Sequence, residues 1–118
     1  MNAALHKVCI VDDDPSVRRG LMRLIRVTGY DAVCYESAEQ FLKSGAIDSA
    51  ACVVLDVKMP GMDGFALQEA LIASGHAGLP VIFITGHGDI PMGVEAMKRG
   101  AVDFLPKPFT DEELLGAI

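Results

Sequence analysis

Several polar side chains that could take part in one reaction stand directly after short apolar runs of the sequence. They are Asp12, Asp13, Asp56, Thr85 and Lys107. Carboxylates held close together repel one another unless a cation joins them, and magnesium prefers oxygen ligands in an open acidic pocket. With such a metal present, Asp56 could act as a nucleophile on phosphorus, while Thr85 and Lys107 donate to oxygens of the transferred group. The combination predicts magnesium-dependent phosphoryl transfer onto Asp56.

Each of these residues also has an ordinary structural explanation. The acidic run Asp12-Asp13-Asp14 could be a solvated turn that leads into a helix at Pro15. Asp56 and Thr85 could simply end strands, and Lys107 between two prolines could be a surface lysine. All of them follow the carboxyl ends of predicted strands, which favours a functional site, because ligands of open parallel α/β sheets bind outside those ends.

The elements that would position these residues follow from an alternation of short apolar runs with amphipathic stretches. This alternation predicts an α/β fold in which crossover helices connect parallel strands. The predicted strands are Lys7 to Val11, Asp31 to Tyr35, Ala51 to Leu55, Val81 to Ile84 and Asp103 to Leu105. The first, third and fourth runs are almost wholly apolar, so we expect these strands to be buried on both faces.

Helix start and stop signals lie between the predicted strands. Asp14 and Pro15 predict the beginning of the first helix and Gly29 its end, while the spacing of Ser37 to Gln40 and of Thr110 to Glu113 predicts capping boxes for the second and fifth helices. The apolar positions expected to face the core in the first helix are Val17, Leu21, Leu24 and Ile25.

The third helix is predicted to follow Gly64, with Leu67, Ala70 and Leu71 on its inner face. The fourth is predicted to begin near Ile90 and to stop at Gly100, with Val94, Met97 and Ala101 marking its inner side. The fifth amphipathic pattern is cut at Ile118, which suggests that residues 1–118 are one domain of a longer chain with a C-terminal effector domain.

Composition narrows the class of ligand. The chain has 118 residues with 16 acidic and 10 basic side chains, a net charge of -6, which disfavours a nucleic-acid footprint and favours cations. We find no apolar run near the roughly 20 residues of a membrane helix and no signal peptide, so we expect a cytoplasmic protein. The cysteines and histidines lack zinc-ligand spacing, and Cys9, Cys34 and Cys52 are expected to be reduced core residues.

Four stretches together resemble the response regulator receiver family, also called CheY-like. They are Ile10-Val11-Asp12-Asp13-Asp14, Leu55 to Gly64, Thr85-Gly86-His87 and Phe104 to Phe109. Their order is that of the family, the resemblance covers essentially the whole chain, and the combination is far more specific than any single stretch. The loop from Thr85 to Asp89 further resembles the FixJ-like branch.

The resemblance implies a flavodoxin-like, doubly wound sheet of five parallel strands in the order 2-1-3-4-5, with five helices. It implies that a sensor histidine kinase phosphorylates Asp56 and that Mg²⁺ is bound by Asp13, Asp56 and the backbone carbonyl of Lys58, with Asp12 acting through water. It also implies a cis peptide between Lys107 and Pro108. Lys58 and His87 would lie at the pocket rim.

The resemblance further implies how the signal would leave the domain. Phe104 would swing inward as the Thr85 hydroxyl moves toward the phosphoryl group, although Phe104 could equally be an ordinary core residue. Helix four, strand five and helix five would form the output face and pair two receivers, a role open to Ile90, Pro91, Val94 and Met97 if they are not core residues. Such a domain is a phosphoacceptor switch for transcription regulation and not a turnover enzyme.

Three competing interpretations are weighed against this one. A haloacid-dehalogenase-like phosphatase would need a second aspartate two residues after the nucleophile, where this chain has Lys58. A flavodoxin-like flavin-binding module would need a Gly, Ser or Thr-rich first loop in place of Asp12-Asp13-Asp14, which would repel a phosphate. A degenerate receiver used only as a scaffold would not need every matching functional residue.

Overall fold

A computed structural model describes residues 7–76, 78–85 and 90–106, together with Glu112, Leu114 and Gly116. Its elements, in chain order, are β1 (Lys7–Val11), α1 (Pro15–Val27), β2 (Asp31–Tyr35), α2 (Ala38–Ser44), a 3-10 turn (Ala46–Asp48), β3 (Ala50–Asp56), α3 (Gly64–Ala73), β4 (Val81–Thr85), α4 (Ile90–Lys98) and β5 (Asp103–Pro106). The sheet is parallel, with strand order β2-β1-β3-β4-β5. The predicted fold class and strand order are confirmed.

Helices cover both faces of the sheet, and each face has its own apolar core. One core joins α2, α3 and α4 to the sheet through Phe41, Leu67 and Ala96. The other joins α1 to the opposite face through Leu21 and Ile25, and Leu114 packs into this second core. Because both faces are covered, the strands β1, β3 and β4 are almost wholly buried, as their apolar composition predicted.

Side-chain caps begin three of the helices, and the caps of α1 and α2 are the ones that the sequence signals predicted. Asp14 accepts a hydrogen bond from Ser16 N–H at 2.8 Å, with Pro15 in the first position of α1. Ser37 accepts from Gln40 N–H at 3.0 Å and begins α2. Asp63 caps α3 by accepting from Ala66 N–H at 2.8 Å. These caps satisfy backbone donors that a helix leaves unpaired at its beginning.

The inner side of α4 differs from the prediction. Val94 and Met97 are 49% and 48% exposed, whereas Ala96 is fully buried and Ala101 is 7% exposed. The small Ala96 side chain lets α4 pack against the sheet, and the Val94 and Met97 side chains point outward. Because α4 has apolar residues on more than one side, helical spacing alone did not identify the buried side.

The predicted fifth helix lies partly outside the described residues. The fifth helix was expected to begin at Thr110 with Glu113 as its capping partner, and both lie outside the described residues. Glu112, Leu114 and Gly116 are helical, and Leu114 is fully buried. No helix among the described residues is long and apolar enough to cross a membrane.

The cysteines are free, as predicted. Cys9 and Cys52 are buried and Cys34 is half-buried. Burial raises the pKa of the Cys9 thiol to about 11 and that of the Cys52 thiol to about 11. Both thiols therefore remain protonated near neutral pH, which makes them poor nucleophiles and poor metal ligands.

Candidate functional site

Three carboxylates meet at the carboxyl ends of β1 and β3. These strands are neighbours at the point where the strand order reverses. Asp12 and Asp13 follow β1, Asp56 is the last residue of β3, and one ligand oxygen from each lies within 4.8 Å of the others. Asp12 is fully buried and Asp56 is 7% exposed, whereas Asp13 is exposed. The cluster is therefore buried on one side and open to solvent on the other.

Hydrogen bonds at Asp12 hold the turn that follows β1. Asp12 N–H donates to the Tyr35 carbonyl at 3.2 Å, which continues the pairing of β1 with β2. The Asp12 Oδ1 atom accepts from Asp14 N–H at 2.9 Å, and the Asp12 carbonyl accepts from the Arg18 guanidinium at 2.6 Å. The bond from Asp14 N–H orients the Asp12 carboxylate, and the other two hold the backbone of Asp12.

The loop after β3 is fixed at both ends. Val57 N–H donates to the Ile84 carbonyl at 3.1 Å, and Gly64 N–H donates to the Val57 carbonyl at 2.8 Å. Lys58 N–H donates to Asp56 Oδ1 at 3.3 Å, while the Lys58 side chain is exposed. A Cβ at Gly64 would lie 2.5 Å from the Asp56 carbonyl oxygen, so only glycine fits there. Sequence reasoning used Gly64 as a helix start and missed this close approach.

Thr85 lies beside the cluster on the next strand. Asp56 pairs with Ile84 in the parallel register of β3 and β4, which places Thr85 one residue farther along β4, as its last residue. Thr85 is 1% exposed. A buried hydroxyl at the same sheet edge as the acids fits the predicted role as a donor near the site.

Phe104 lies on β5, where it pairs with Phe83 of β4. Its side chain is half-buried, packs against the core that contains α4, and lines a surface cleft of about 610 Å³ together with Val94, Met97, Lys98 and Asp103. The structure therefore places Phe104 between the core and the exposed side of α4. Two other predicted site residues, Lys107 and His87, lie outside the described residues.

The donor set fits a hard divalent cation. The three clustered groups are carboxylates, without a histidine or cysteine among them. Magnesium takes oxygen ligands and retains waters, which the exposed side at Asp13 would accommodate, whereas zinc favours nitrogen and sulfur. Mutual repulsion of carboxylates within 4.8 Å of one another gives a further reason for a cation to bind.

Comparison with known families agrees with this site and fold. Residues 8–118 match the family described as the response regulator receiver domain. The chain belongs to the response regulator receiver family. Receiver domains are modules of two-component systems that act as signalling switches, generally not as turnover enzymes, and they bind Mg²⁺ at an acidic pocket.

The relatives of this receiver domain include FixJ-type and other response regulators. Nodulation protein W of Bradyrhizobium diazoefficiens is 52% identical over 111 residues, 94% of this chain and 48% of that protein. Transcriptional regulatory protein FixJ of Azorhizobium caulinodans is 45% identical over 94% of this chain and 52% of that protein. The crystal structure of FixJ-N superposes with a TM-score of 0.84 at 41% identity, covering 95% of this chain and 89% of that one.

The chain spans about half the length of the curated relatives it matches. Their names include transcriptional regulatory proteins and response regulators. Family membership favours a receiver over the phosphatase and flavin-binding alternatives, which share a parallel α/β sheet but belong to other families.

Proposed function

We propose that this receiver domain accepts a phosphoryl group on Asp56 from a sensor histidine kinase and passes the signal to an output domain that regulates transcription. The observation that supports this most directly is the position of Asp56. It ends the central strand β3, is 7% exposed, and has a ligand oxygen within 4.8 Å of those of Asp12 and Asp13. Relatives that share this domain are named as transcriptional regulatory proteins and extend beyond it.

The transfer would be an in-line substitution at phosphorus. An Asp56 carboxylate oxygen would form the new P–O bond while the P–N bond to the phosphohistidine breaks, and the departing imidazole nitrogen would take a proton from solvent. A carboxylate needs no general base, because it is already ionised at neutral pH. Lys58 N–H already donates to Asp56 Oδ1, which orients the carboxylate.

The acidic cluster would hold the cation that makes this transfer possible. Asp13, Asp56 and the Lys58 backbone carbonyl are the proposed magnesium ligands, with Asp12 acting through water. Bound magnesium would neutralise negative charge on the transferred phosphoryl group. Thr85 and Lys107 are proposed to donate to other phosphoryl oxygens, and His87 is proposed to lie at the rim of the pocket.

The switch is proposed to run from Thr85 through Phe104 to the exposed side of α4. Moving an equilibrium from 1:99 to 99:1 takes about 5.5 kcal/mol. Hydrogen bonds to charged groups are worth roughly 1.5 to 3 kcal/mol each, so new bonds from Thr85 and Lys107 to a phosphoryl group are of the right size. Val94 and Met97, which are exposed beside Phe104, would then pair two phosphorylated receivers.

The test is intact mass after incubation with acetyl phosphate and magnesium. We expect a gain of one phosphoryl group, and no gain in Asp56→Asn or in the presence of a chelator. Asp31→Asn is the matched control, since Asp31 is an exposed acid at the first residue of β2, away from the cluster. Absence of any gain in the parent chain, with no change of thermal stability on adding magnesium, would instead support a scaffold that has lost phosphoacceptor activity.

A further inference from the structure

The loop of residues 57–63 contains the proposed ligand Lys58 and is contacted by a side chain from another element. Glu39, in the first turn of α2, accepts a hydrogen bond from Met62 N–H through its Oε2 atom at 3.2 Å. Met62 itself is half-buried and packs against the core. The contact therefore ties the middle of the loop to α2, in addition to the bonds that fix its two ends.

Gly61 lies next to this contact. Its φ angle is 74°, in the left-handed region that favours glycine, and a Cβ there would lie 2.8 Å from Glu39 Oε2. The loop backbone at Gly61 therefore passes close to the Glu39 carboxylate, which is the end of an exposed side chain. Two neighbouring residues, Gly61 and Met62, are arranged around the same oxygen atom.

Glu39 is also suited to remain ionised in this position. Hydrogen bonds from its own backbone N–H and from Met62 N–H lower the pKa of the Glu39 carboxyl group. Its place in the first turn of a helix also favours a negative charge. A carboxylate accepts stronger hydrogen bonds than a neutral group, so the tie is in its stronger form at neutral pH.

We propose that Glu39 is a positioning residue for the phosphoacceptor site, holding the 57–63 loop so that Lys58 is presented correctly beside Asp56. The inference rests on the proposed function. Glu39 touches neither the reacting atoms nor the proposed metal, and it acts through the backbone of the loop. Losing the tie lets the loop sample other conformations, so magnesium binding and phosphoryl acceptance must first restore the productive one.

The experiment compares Glu39→Ala, Glu39→Gln and the parent chain. Glutamine keeps an oxygen that can accept the Met62 N–H bond but removes the charge, whereas alanine removes both. We measure the magnesium Kd by titration calorimetry and the rate of Asp56 phosphorylation by acetyl phosphate from intact mass. Glu36→Ala is the control, because Glu36 is an exposed acid next to α2 whose carboxylate accepts no hydrogen bond within the described part of the chain.

We expect Glu39→Ala to weaken magnesium binding about threefold to tenfold, the range for loss of one hydrogen bond. Phosphorylation at subsaturating magnesium should slow by a similar factor and recover at high magnesium concentration. Glu39→Gln should keep most of the parent's magnesium affinity. Glu36→Ala should have the same magnesium affinity and phosphorylation rate as the parent.

Two outcomes would overturn the proposal. Glu39→Ala with parental magnesium affinity and rate would show that the loop needs no tie, even if its thermal stability fell. Equal effects of Glu36→Ala and Glu39→Ala would indicate that loss of negative charge, and not the position of the loop, matters. A parent chain that takes up no phosphoryl group would instead count against the proposed function itself, while the magnesium titration would still test the positioning role.

Discussion

Gly64 lies against the backbone of Asp56 so closely that a side chain has no room between them. A Cβ at Gly64 would lie 2.5 Å from the Asp56 carbonyl oxygen, 2.9 Å from Val57 Cα and 3.1 Å from the Phe83 ring. Two of these neighbours are backbone atoms of the strand end and loop that present the proposed phosphoacceptor. The beginning of α3 and the end of β3 are therefore packed directly together.

Gly64→Ala should lower the free energy of unfolding by about 1 to 3 kcal/mol, the usual cost of forcing extra volume into a packed region. Urea denaturation measures this. Gly20→Ala is the matched control, because Gly20 lies within α1 with nothing within 4 Å of its would-be Cβ, and it should gain up to about 1 kcal/mol. If Gly64→Ala were as stable as the parent, the loop backbone could move to accommodate the added methyl group, contrary to this prediction.

Asp13→Asn should separate repulsion within the acidic cluster from magnesium binding. In the presence of a chelator, removing one of the three charges should raise the thermal midpoint slightly. The gain in the free energy of unfolding should be no more than about 1 kcal/mol, because Asp13 is exposed. On adding magnesium the parent should gain stability and Asp13→Asn much less, since binding to the folded state alone stabilises it. A full magnesium response in Asp13→Asn would remove Asp13 from the ligand set.

Thr85→Ala should still accept a phosphoryl group but lose much of the conformational response. Thr85 is buried at the end of β4 and is proposed to donate to the phosphoryl group, not to attack phosphorus. Intact mass measures acceptance, and amide chemical shifts of α4 with and without acetyl phosphate measure the response. Thr28→Ala, at the end of α1, is the control. A parental response in Thr85→Ala would refute the switch role.

Met97→Glu should prevent phosphorylation-dependent pairing of two receivers. Met97 is 48% exposed on α4 beside Phe104, so a charge there should leave the monomer fold nearly unchanged but disfavour an apolar interface. Sedimentation velocity with acetyl phosphate and magnesium measures the pairing. The control is Val27→Glu, at an 80% exposed position on α1. Dimers of the phosphorylated Met97→Glu chain would place the interface elsewhere.

Alkaline pH should destabilise the fold through two buried thiols. Burial raises the pKa of Cys9 and of Cys52 from 9.0 to about 11 each. Above pH 9 the unfolded chain releases these protons while the folded chain retains them, so stability that is complete below pH 9 declines as the pH rises toward 11. The loss approaches about 2 kcal/mol per thiol.

Urea denaturation at pH 7.5 and pH 10.5 tests this, with Cys9→Ala/Cys52→Ala as the comparison. Other groups also titrate in this range, so the difference between the two chains is the relevant quantity. The double variant should lose less stability than the parent between the two pH values. Parallel losses in both chains would contradict the assignment to these thiols.

Local sequence signals determined much of this domain. Caps such as Asp14 and Ser37 predicted helix starts correctly, because a capping bond depends on residues only two or three positions apart. The wholly apolar runs predicted the buried strands, because a strand covered on both faces excludes polar side chains. Parallel pairing then implied that Asp12, Asp13 and Asp56 share one sheet edge, and the structure confirms that they do.

The tertiary structure alone decided contacts between segments distant in the chain. Which side of α4 is buried depended on the small Ala96 fitting against the sheet, while Val94 and Met97 face outward. Two other contacts likewise join separate elements. They are the hydrogen bond from Met62 N–H to Glu39 and the close approach of Gly64 to the Asp56 backbone. Such contacts depend on how elements pack in space, and spacing along the chain does not encode the distance between two side chains brought together by folding.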